Sequence, residues 1–147
     1  MLRRLIFILS LMALLLGGCS TAAPTTGDLK DFSAACDKAN DGKRIAIVGY
    51  LRFPESFTGS DNVVLRMYNA SDFSGSPIGV TVDFGTKANQ VEPVKDQFSD
   101  NDLKVHMANG QVAGLGTKVK VSGTVYFPLV SQEFACGLYN PLVDAGE

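Results

Sequence analysis

Several stretches of the chain after residue 42 alternate apolar and other residues with a period of two. The most regular run spans 78–84, where Ile, Val and Phe occupy every second position. Because successive side chains of a strand point to opposite faces of a sheet, such runs predict strands with one buried face. We predict strands in these stretches: 45–53, 63–68, 78–84, 103–107, 119–127 and 134–143.

Turn-forming residues separate these runs. Pro54 ends the first predicted strand, residues 69–77 are rich in Asn, Ser and Gly, and Asn109-Gly110 predicts a tight hairpin turn. Residues 85–102 are polar and weakly periodic, and Pro93 within them predicts the first turn of a short helix.

The segment before the first strand has helical periodicity. Its apolar residues recur every three or four positions, as on one face of a helix: Leu29, Phe32, Cys36 and Ala39. Asn40-Asp41-Gly42 is a typical helix end. The chain therefore predicts a mainly β domain at 28–147, with a short N-terminal helix and one further short helix.

The first 18 residues have the parts of an export signal. Arg3 and Arg4 precede an apolar stretch of 12 residues, Leu5 to Leu16, in which only Ser10 is polar. A membrane-spanning helix needs about 20 residues, so this stretch is too short for a transmembrane anchor.

The run Leu16-Gly17-Gly18-Cys19 that follows resembles the lipobox of bacterial lipoproteins. The resemblance implies that residues 1–18 are removed and that Cys19 becomes the lipidated first residue, carrying a diacylglyceryl group and an amide-linked acyl chain such as palmitate. Residues 19–27 would then be the lipidated cysteine and a flexible tether. Because Ser20 stands where an Asp would suggest retention in the inner membrane, we expect an outer-membrane anchor facing the periplasm in a Gram-negative host.

Two cysteines remain in the mature chain, Cys36 and Cys136, separated by 100 residues. Pairs of thiols become disulfides in an oxidising exported compartment, so we predict a bridge that ties the N-terminal segment to the last strand. The alternative is two unrelated buried thiols.

Two similar stretches of the sequence suggest the architecture. The stretch 42–54, GKRIAIVGYLRFP, matches the stretch 116–128, GTKVKVSGTVYFP, in residue type, and each has a glycine at mid-strand. Such a glycine permits the bend by which one strand serves two sheets. The domain resembles the OB fold, in particular its exported tRNA-anticodon-binding-like members, which implies a small five-stranded antiparallel barrel. A lipocalin-like barrel or a β-sandwich would need more strands.

Charge argues against a nucleic-acid partner. Removal of the signal takes Arg3 and Arg4 from the 13 basic residues and leaves 11 against 15 acidic ones. Binding to nucleic acid requires a basic footprint. The alternation places four side chains on the outer face of the first two strands, where they form either a ligand-binding face or an ordinary solvated surface: Tyr50, Arg52, Arg66 and Tyr68.

Catalytic and metal-binding patterns are weak. The single histidine, His106, is expected to point away from the core as a hydrogen-bonded or solvent-exposed structural residue, and no G-x-S-x-G nucleophile pattern occurs. Asp96, Asp100 and Asp102 cluster in a polar loop, but the cluster lacks the glycine and the closing glutamate of an EF-hand, so calcium binding stays open and a capping role is the alternative. We expect that the protein is not an enzyme and that it has no metal site and no cofactor.

These features predict a lipid-anchored cell-envelope lipoprotein whose OB-like domain is a non-catalytic binding module for an unidentified ligand or partner, with an envelope protein and an oligosaccharide as the candidates. The loops 54–62 and 69–77 would contribute to the site, and Phe57 is expected to pack into the barrel mouth. A different interpretation is a structural lipoprotein that recruits another envelope protein through a sheet edge.

Cells grown with labelled palmitate should incorporate the label into this protein, and Cys19→Ser should abolish the incorporation because only a thiolate accepts the diacylglyceryl group. Cys36→Ser is the matched control and should keep the label. A mature N-terminus at a residue other than Cys19 would contradict the prediction.

Overall fold

The computed structural model describes residues 22–130 and 133–147, so Cys19 and the predicted signal lie outside the described residues. The described residues form these strands: β1 (Asp28–Leu29), β2 (Arg44–Arg52), β3 (Asn62–Tyr68), β4 (Ile78–Asp83), β5 (Val105–His106), β6 (Val112–Ala113), β7 (Lys118–Tyr126) and β8 (Gly137–Ala145). No helix among these residues is long and apolar enough to cross a membrane.

Five strands close into a barrel in the order β2, β3, β4, β8, β7 and back to β2, and β1 adds to β2 outside this ring. The prediction of a mainly β, five-stranded barrel is confirmed. The neighbouring strands of this ring pair antiparallel with one exception, β4 and β8, which run parallel through Gly79–Gly137 and Val80–Leu138. The chain leaves β4, passes through β5, β6 and β7, and returns beside β4 in the same direction.

Alternate residues of the barrel strands fill its interior, as the period-two pattern predicts. The core includes Ile45, Ile47, Leu51, Val63, Leu65, Met67, Val80, Val82, Val119, Val121, Val125, Leu138 and Val143, each at most 2% exposed. Burial of one such side chain contributes about 1.5–3 kcal/mol.

The two similar stretches, 42–54 and 116–128, lie side by side in the barrel. Residues 44–50 of β2 pair antiparallel with β7, whereas residues 50–52 pair with β3. At the change of partner the β3 backbone approaches so closely that a Cβ on Gly49 would clash with the carbonyl oxygen of Tyr68. Gly123 lies at a bulge in the β7–β8 ladder. Each mid-strand glycine therefore marks a bend or an irregularity needed for closure.

The predicted N-terminal helix is not present. Residues Phe32–Ala34 and Lys38–Asn40 form two separate 3-10 turns, interrupted by extended backbone at Asp37. The Asn40 side-chain amide donates hydrogen bonds to the carbonyls of Ala34 and Ala35, which a continuous helix would use internally. Leu29, expected on the buried stripe, is 68% exposed in β1.

The second predicted helix, near Pro93, is also absent. Residues 93–98 are irregular, and a 3-10 turn occurs instead at Asp100–Asp102. The predicted hairpin turn at Asn109-Gly110 does join β5 to β6, and the Asn109 side chain accepts a hydrogen bond from the amide of Gln111.

A disulfide joins Cys36 to Cys136, with a Cα–Cα distance of 5.4 Å, so this prediction is confirmed. It ties the segment between the two N-terminal 3-10 turns to the residue directly before β8. Part of the predicted tether also contacts the barrel: the Arg44 guanidinium donates to the carbonyl of Thr25, and Gly27 lies against the backbone of Ile45.

Gly49→Ala should destabilise the domain by about 1–3 kcal/mol, because the new methyl group has no space beside the β3 backbone. Gly114→Ala is the matched control and should change stability by less than about 0.5 kcal/mol, since a Cβ there makes only ordinary contact. Urea unfolding of both variants tests this, and equal stabilities would contradict the steric argument.

Replacement of Cys36 and Cys136 together by serine should lower the free energy of unfolding by as much as about 4.7 kcal/mol, the chain-entropy value for a 100-residue loop. The loss arises because the unfolded chain regains the freedom that the bridge removes. Unfolding of the oxidised protein, the reduced protein and the double variant checks it. A reduced protein as stable as the oxidised one would contradict it.

Candidate functional site

The four side chains predicted on the outer sheet face do lie together. Tyr50 pairs directly with Tyr68 across the β2–β3 ladder, and Arg52 pairs with Arg66 in the same ladder. Residues directly opposite each other in a ladder have neighbouring side chains on one face. The antiparallel register therefore gathers the predicted face.

Both arginines of this face already have carboxylate partners. Arg52 Nε lies 2.6 Å from a carboxylate oxygen of Asp100, and an Arg66 guanidinium nitrogen lies 2.9 Å from Glu133. A second nitrogen of Arg66 lies 4.0 Å from Glu55. An anionic ligand at this face would have to compete with these carboxylates.

Tyr68 is not available for stacking on its own. It is 8% exposed, and its ring meets the edge of Phe73 at a centroid distance of 5.7 Å. The Arg52 guanidinium lies over the same Phe73 ring at 5.6 Å. The loop 69–77 therefore covers this part of the sheet. The accessible groups of the sheet face are Tyr50 and the exposed parts of the Arg52 and Arg66 side chains.

An aromatic cluster lies at the barrel mouth next to this face. Phe57 and Phe98 are 4.9 Å apart between ring centroids, and Phe57 also contacts Phe84 at 5.5 Å and Phe53 at 6.2 Å. Phe53 is buried, whereas the other three are partly exposed. Phe57 therefore packs against the core, as we expected, and leaves part of its ring at the surface.

We define the aromatic cleft as the depression of about 470 Å³ above this cluster. It is lined by Phe57, Thr58, Gly59, Ser60, Phe84, Pro93, Val94, Lys95, Asp96 and Phe98. One wall is the loop after β2, and the other is the irregular segment 93–98. Apolar rings form the base and hydroxyl and charged groups form the rim, which is the usual composition of a small-ligand site.

A capped turn fixes the end of the second wall. The Asp102 carboxylate accepts hydrogen bonds from the backbone amide and the hydroxyl of Ser99, at 2.8 and 3.0 Å. These bonds, the backbone one foremost, lower the pKa of Asp102. Because Asp100 in the same turn binds Arg52, the turn connects the cleft wall to the sheet face.

The three aspartates of the polar loop occupy separate positions. Asp96 lies on the cleft rim, Asp100 binds Arg52 and Asp102 caps the 3-10 turn. No group of three or more metal-ligating side chains occurs within 22–130 and 133–147.

His106 is partly exposed and paired with a carboxylate. Its side chain is 20% exposed, and its Nε2 lies 3.1 Å from a carboxylate oxygen of Glu92. Lys104 binds the other oxygen of Glu92 at 3.3 Å, and its hydrogen bond is the main cause of a lowered pKa at Glu92, with a smaller contribution from His106. Glu92 thus contacts both Lys104 and His106, and the three side chains form a surface group outside the aromatic cleft.

No family model matches the chain, and no curated protein or solved structure is similar enough to count as a match. The site is therefore defined by its own geometry. Sequence reasoning identified the loop 54–62 and Phe57 but missed the wall at 93–98. Phe98 was a detectable signal there, since it is an isolated aromatic residue in a polar loop.

Asp102→Asn should reduce the stability of the domain at neutral pH. A carboxyl with a lowered folded-state pKa gives stability that is fully present above its ordinary value of 3.8 and is lost as the pH falls through the folded pKa. The variant and the wild type should therefore converge in stability on acidification below that value.

Thermal unfolding across this pH range measures the effect. Asp96→Asn is the matched control on the exposed cleft rim and should leave the stability at neutral pH within about 0.5 kcal/mol of the wild type. A constant difference between Asp102→Asn and wild type at every pH would contradict the capping role.

Proposed function

We propose that this protein is a lipid-anchored cell-envelope lipoprotein whose barrel is an OB-like, non-catalytic binding module. The ligand would be held in the aromatic cleft and at the adjoining face of Tyr50, Arg52 and Arg66. An oligosaccharide is the ligand class with the best fit, because sugars combine apolar faces with hydroxyl groups and OB-type sites bind them.

The disulfide supports the exported location. A Cys36–Cys136 bridge persists in an oxidising compartment and is rare in a reducing one. The lipidation of Cys19 rests on the lipobox alone, since that residue lies outside the described part of the chain.

The strand order supports the OB-like assignment. β2 changes partner from β7 to β3 in mid-strand, and β4 and β8 complete the ring. The OB fold is likewise a five-stranded Greek-key barrel. A fold alone does not confer a function, so the assignment supports only the place where a ligand is sought.

The aromatic cleft carries the binding proposal. Three partly exposed phenylalanine rings line this depression, and Thr58, Ser60, Lys95 and Asp96 provide hydrogen-bonding groups beside them, a combination typical of small-ligand sites.

A second candidate function, recruitment of an envelope protein, is favoured by β1. This two-residue strand pairs with β2 on one side, and Leu29 in it is 68% exposed. A partner strand adding to this edge would gain backbone hydrogen bonds. Photo-crosslinking from position 29 in intact cells, compared with position 59 at the cleft, distinguishes the two functions.

The binding proposal is tested by titrating the isotope-labelled protein with chitotetraose while amide chemical shifts are followed. We expect shifts concentrated at the cleft loops 57–60 and 93–98 and at Tyr50. A single-stranded oligonucleotide serves as the anionic comparison and should cause smaller shifts, because the mature chain is acidic.

Lys95→Ala, on the cleft rim, should weaken chitotetraose binding, whereas Lys43→Ala, exposed beyond the cleft, should not. The loss expected for one surface hydrogen bond corresponds to about 0.5–1.5 kcal/mol. If neither probe shifts any cleft residue, the binding site proposed here is wrong and protein recruitment becomes the better explanation.

A further inference from the structure

The loop between β7 and β8 presents aliphatic side chains fully to solvent. Leu129 is 103% exposed and Val130 is 91% exposed, the highest values among the large hydrophobic residues of the described chain. Single exposed apolar residues are common on protein surfaces. Two adjacent ones, each exposed by nine tenths or more, are less easily explained as ordinary surface.

The loop is held at both of its ends. The ammonium of Lys38 lies 3.5 Å from the centre of the Phe127 ring, which is partly buried against the core. On the other side, the Phe134 ring packs against Gly79 so closely that no Cβ would fit there. The exposed pair therefore projects from a structured base.

The tether leaves the barrel near the same end of β7. Thr25 is bound by Arg44, and Arg44 lies opposite Thr124 in the β2–β7 ladder. The ladder with β8 ends at Tyr126, directly before the loop. Leu129 is five positions beyond Thr124, a span of at most about 17 Å.

The length of chain available to the lipid limits the distance to the membrane. Cys19 precedes Thr25 by six residues, which extend at most about 20 Å. The chain from Thr25 to Cys19 and the chain from Thr124 to Leu129 therefore have similar upper limits of length. A lipid on Cys19 would therefore hold the barrel close enough for Leu129 and Val130 to reach the bilayer that contains the lipid.

Tyr139 strengthens the case for this orientation. It is 48% exposed, lies opposite Thr124, and its ring is 6.2 Å from that of Tyr126. Tyrosine rings are enriched at membrane interfaces because one end is apolar and the other is polar.

We propose that Leu129 and Val130 insert into the lipid bilayer and give the protein a second membrane contact that fixes its orientation. The inference rests on the proposed function, since the lipid on Cys19 brings the loop to the membrane. The partner is the acyl-chain boundary of a bilayer. A second copy of the chain is the competing occupant.

The natural chain has no tryptophan, so one introduced tryptophan reports on its own surroundings. Leu129→Trp is placed in the full lipoprotein, which is purified from membranes and reconstituted into vesicles of phosphatidylethanolamine and phosphatidylglycerol. Val112→Trp is the matched control, because Val112 is also exposed, at 48%, but lies in β6. β6 comes directly before the start of β7, whereas Leu129 follows the end of β7. We expect a blue shift, and quenching by brominated acyl chains, for Leu129→Trp alone.

Other outcomes separate the two proposals. If the protein incorporates palmitate and floats with the vesicles but Leu129→Trp resembles Val112→Trp, the loop does not insert and the lipid anchor stands. If the protein neither incorporates palmitate nor floats, the anchor and the inserted loop are both wrong. A blue shift that depends on protein concentration without vesicles indicates contact between two copies and overturns membrane insertion.

Discussion

The barrel depends on the close approach of the β2 and β3 backbones at Gly49. There β2 stops pairing with β7 and begins to pair with β3, and any side chain larger than hydrogen would meet the Tyr68 carbonyl. This crossing closes the ring and directs the chain that follows Arg52 over the barrel mouth. Phe53 and Phe57 consequently cover the core at that point and form the base of the aromatic cleft.

The two ends of β2 serve different surfaces through two arginines. Arg44 binds the carbonyls of Thr25, Ser122 and Asn140, so it fixes the tether against the β7–β8 ladder, and its partial burial lowers its pKa while leaving it charged. Arg52 binds Asp100 and so connects the sheet face to the cleft wall. One strand thus contacts the proposed membrane tether at one end and the wall of the proposed ligand site at the other.

The predicted binding face shows why outward-facing residues are a weak guide to a site. Tyr50, Arg52, Arg66 and Tyr68 are gathered by the register, but Phe73 covers Tyr68, and Asp100 and Glu133 neutralise the arginines. The Nε of Arg66 is buried and has no hydrogen-bond partner among the described residues, which shows how far the surrounding loops close over it. Loops distant in sequence therefore decide how much of a sheet face stays accessible.

The sequence by itself determined the β content, the positions of the barrel strands, the hairpin turn at Asn109-Gly110 and the pairing of Cys36 with Cys136. These follow from alternation, turn chemistry and the count of thiols, which are local or compositional properties. Tertiary structure decided the parallel β4–β8 pair, the loss of the N-terminal helix to Asn40 side-chain hydrogen bonds, and the cleft wall at 93–98. Those features depend on which segments meet when the barrel closes, and no residue pattern within a single segment encodes such a meeting.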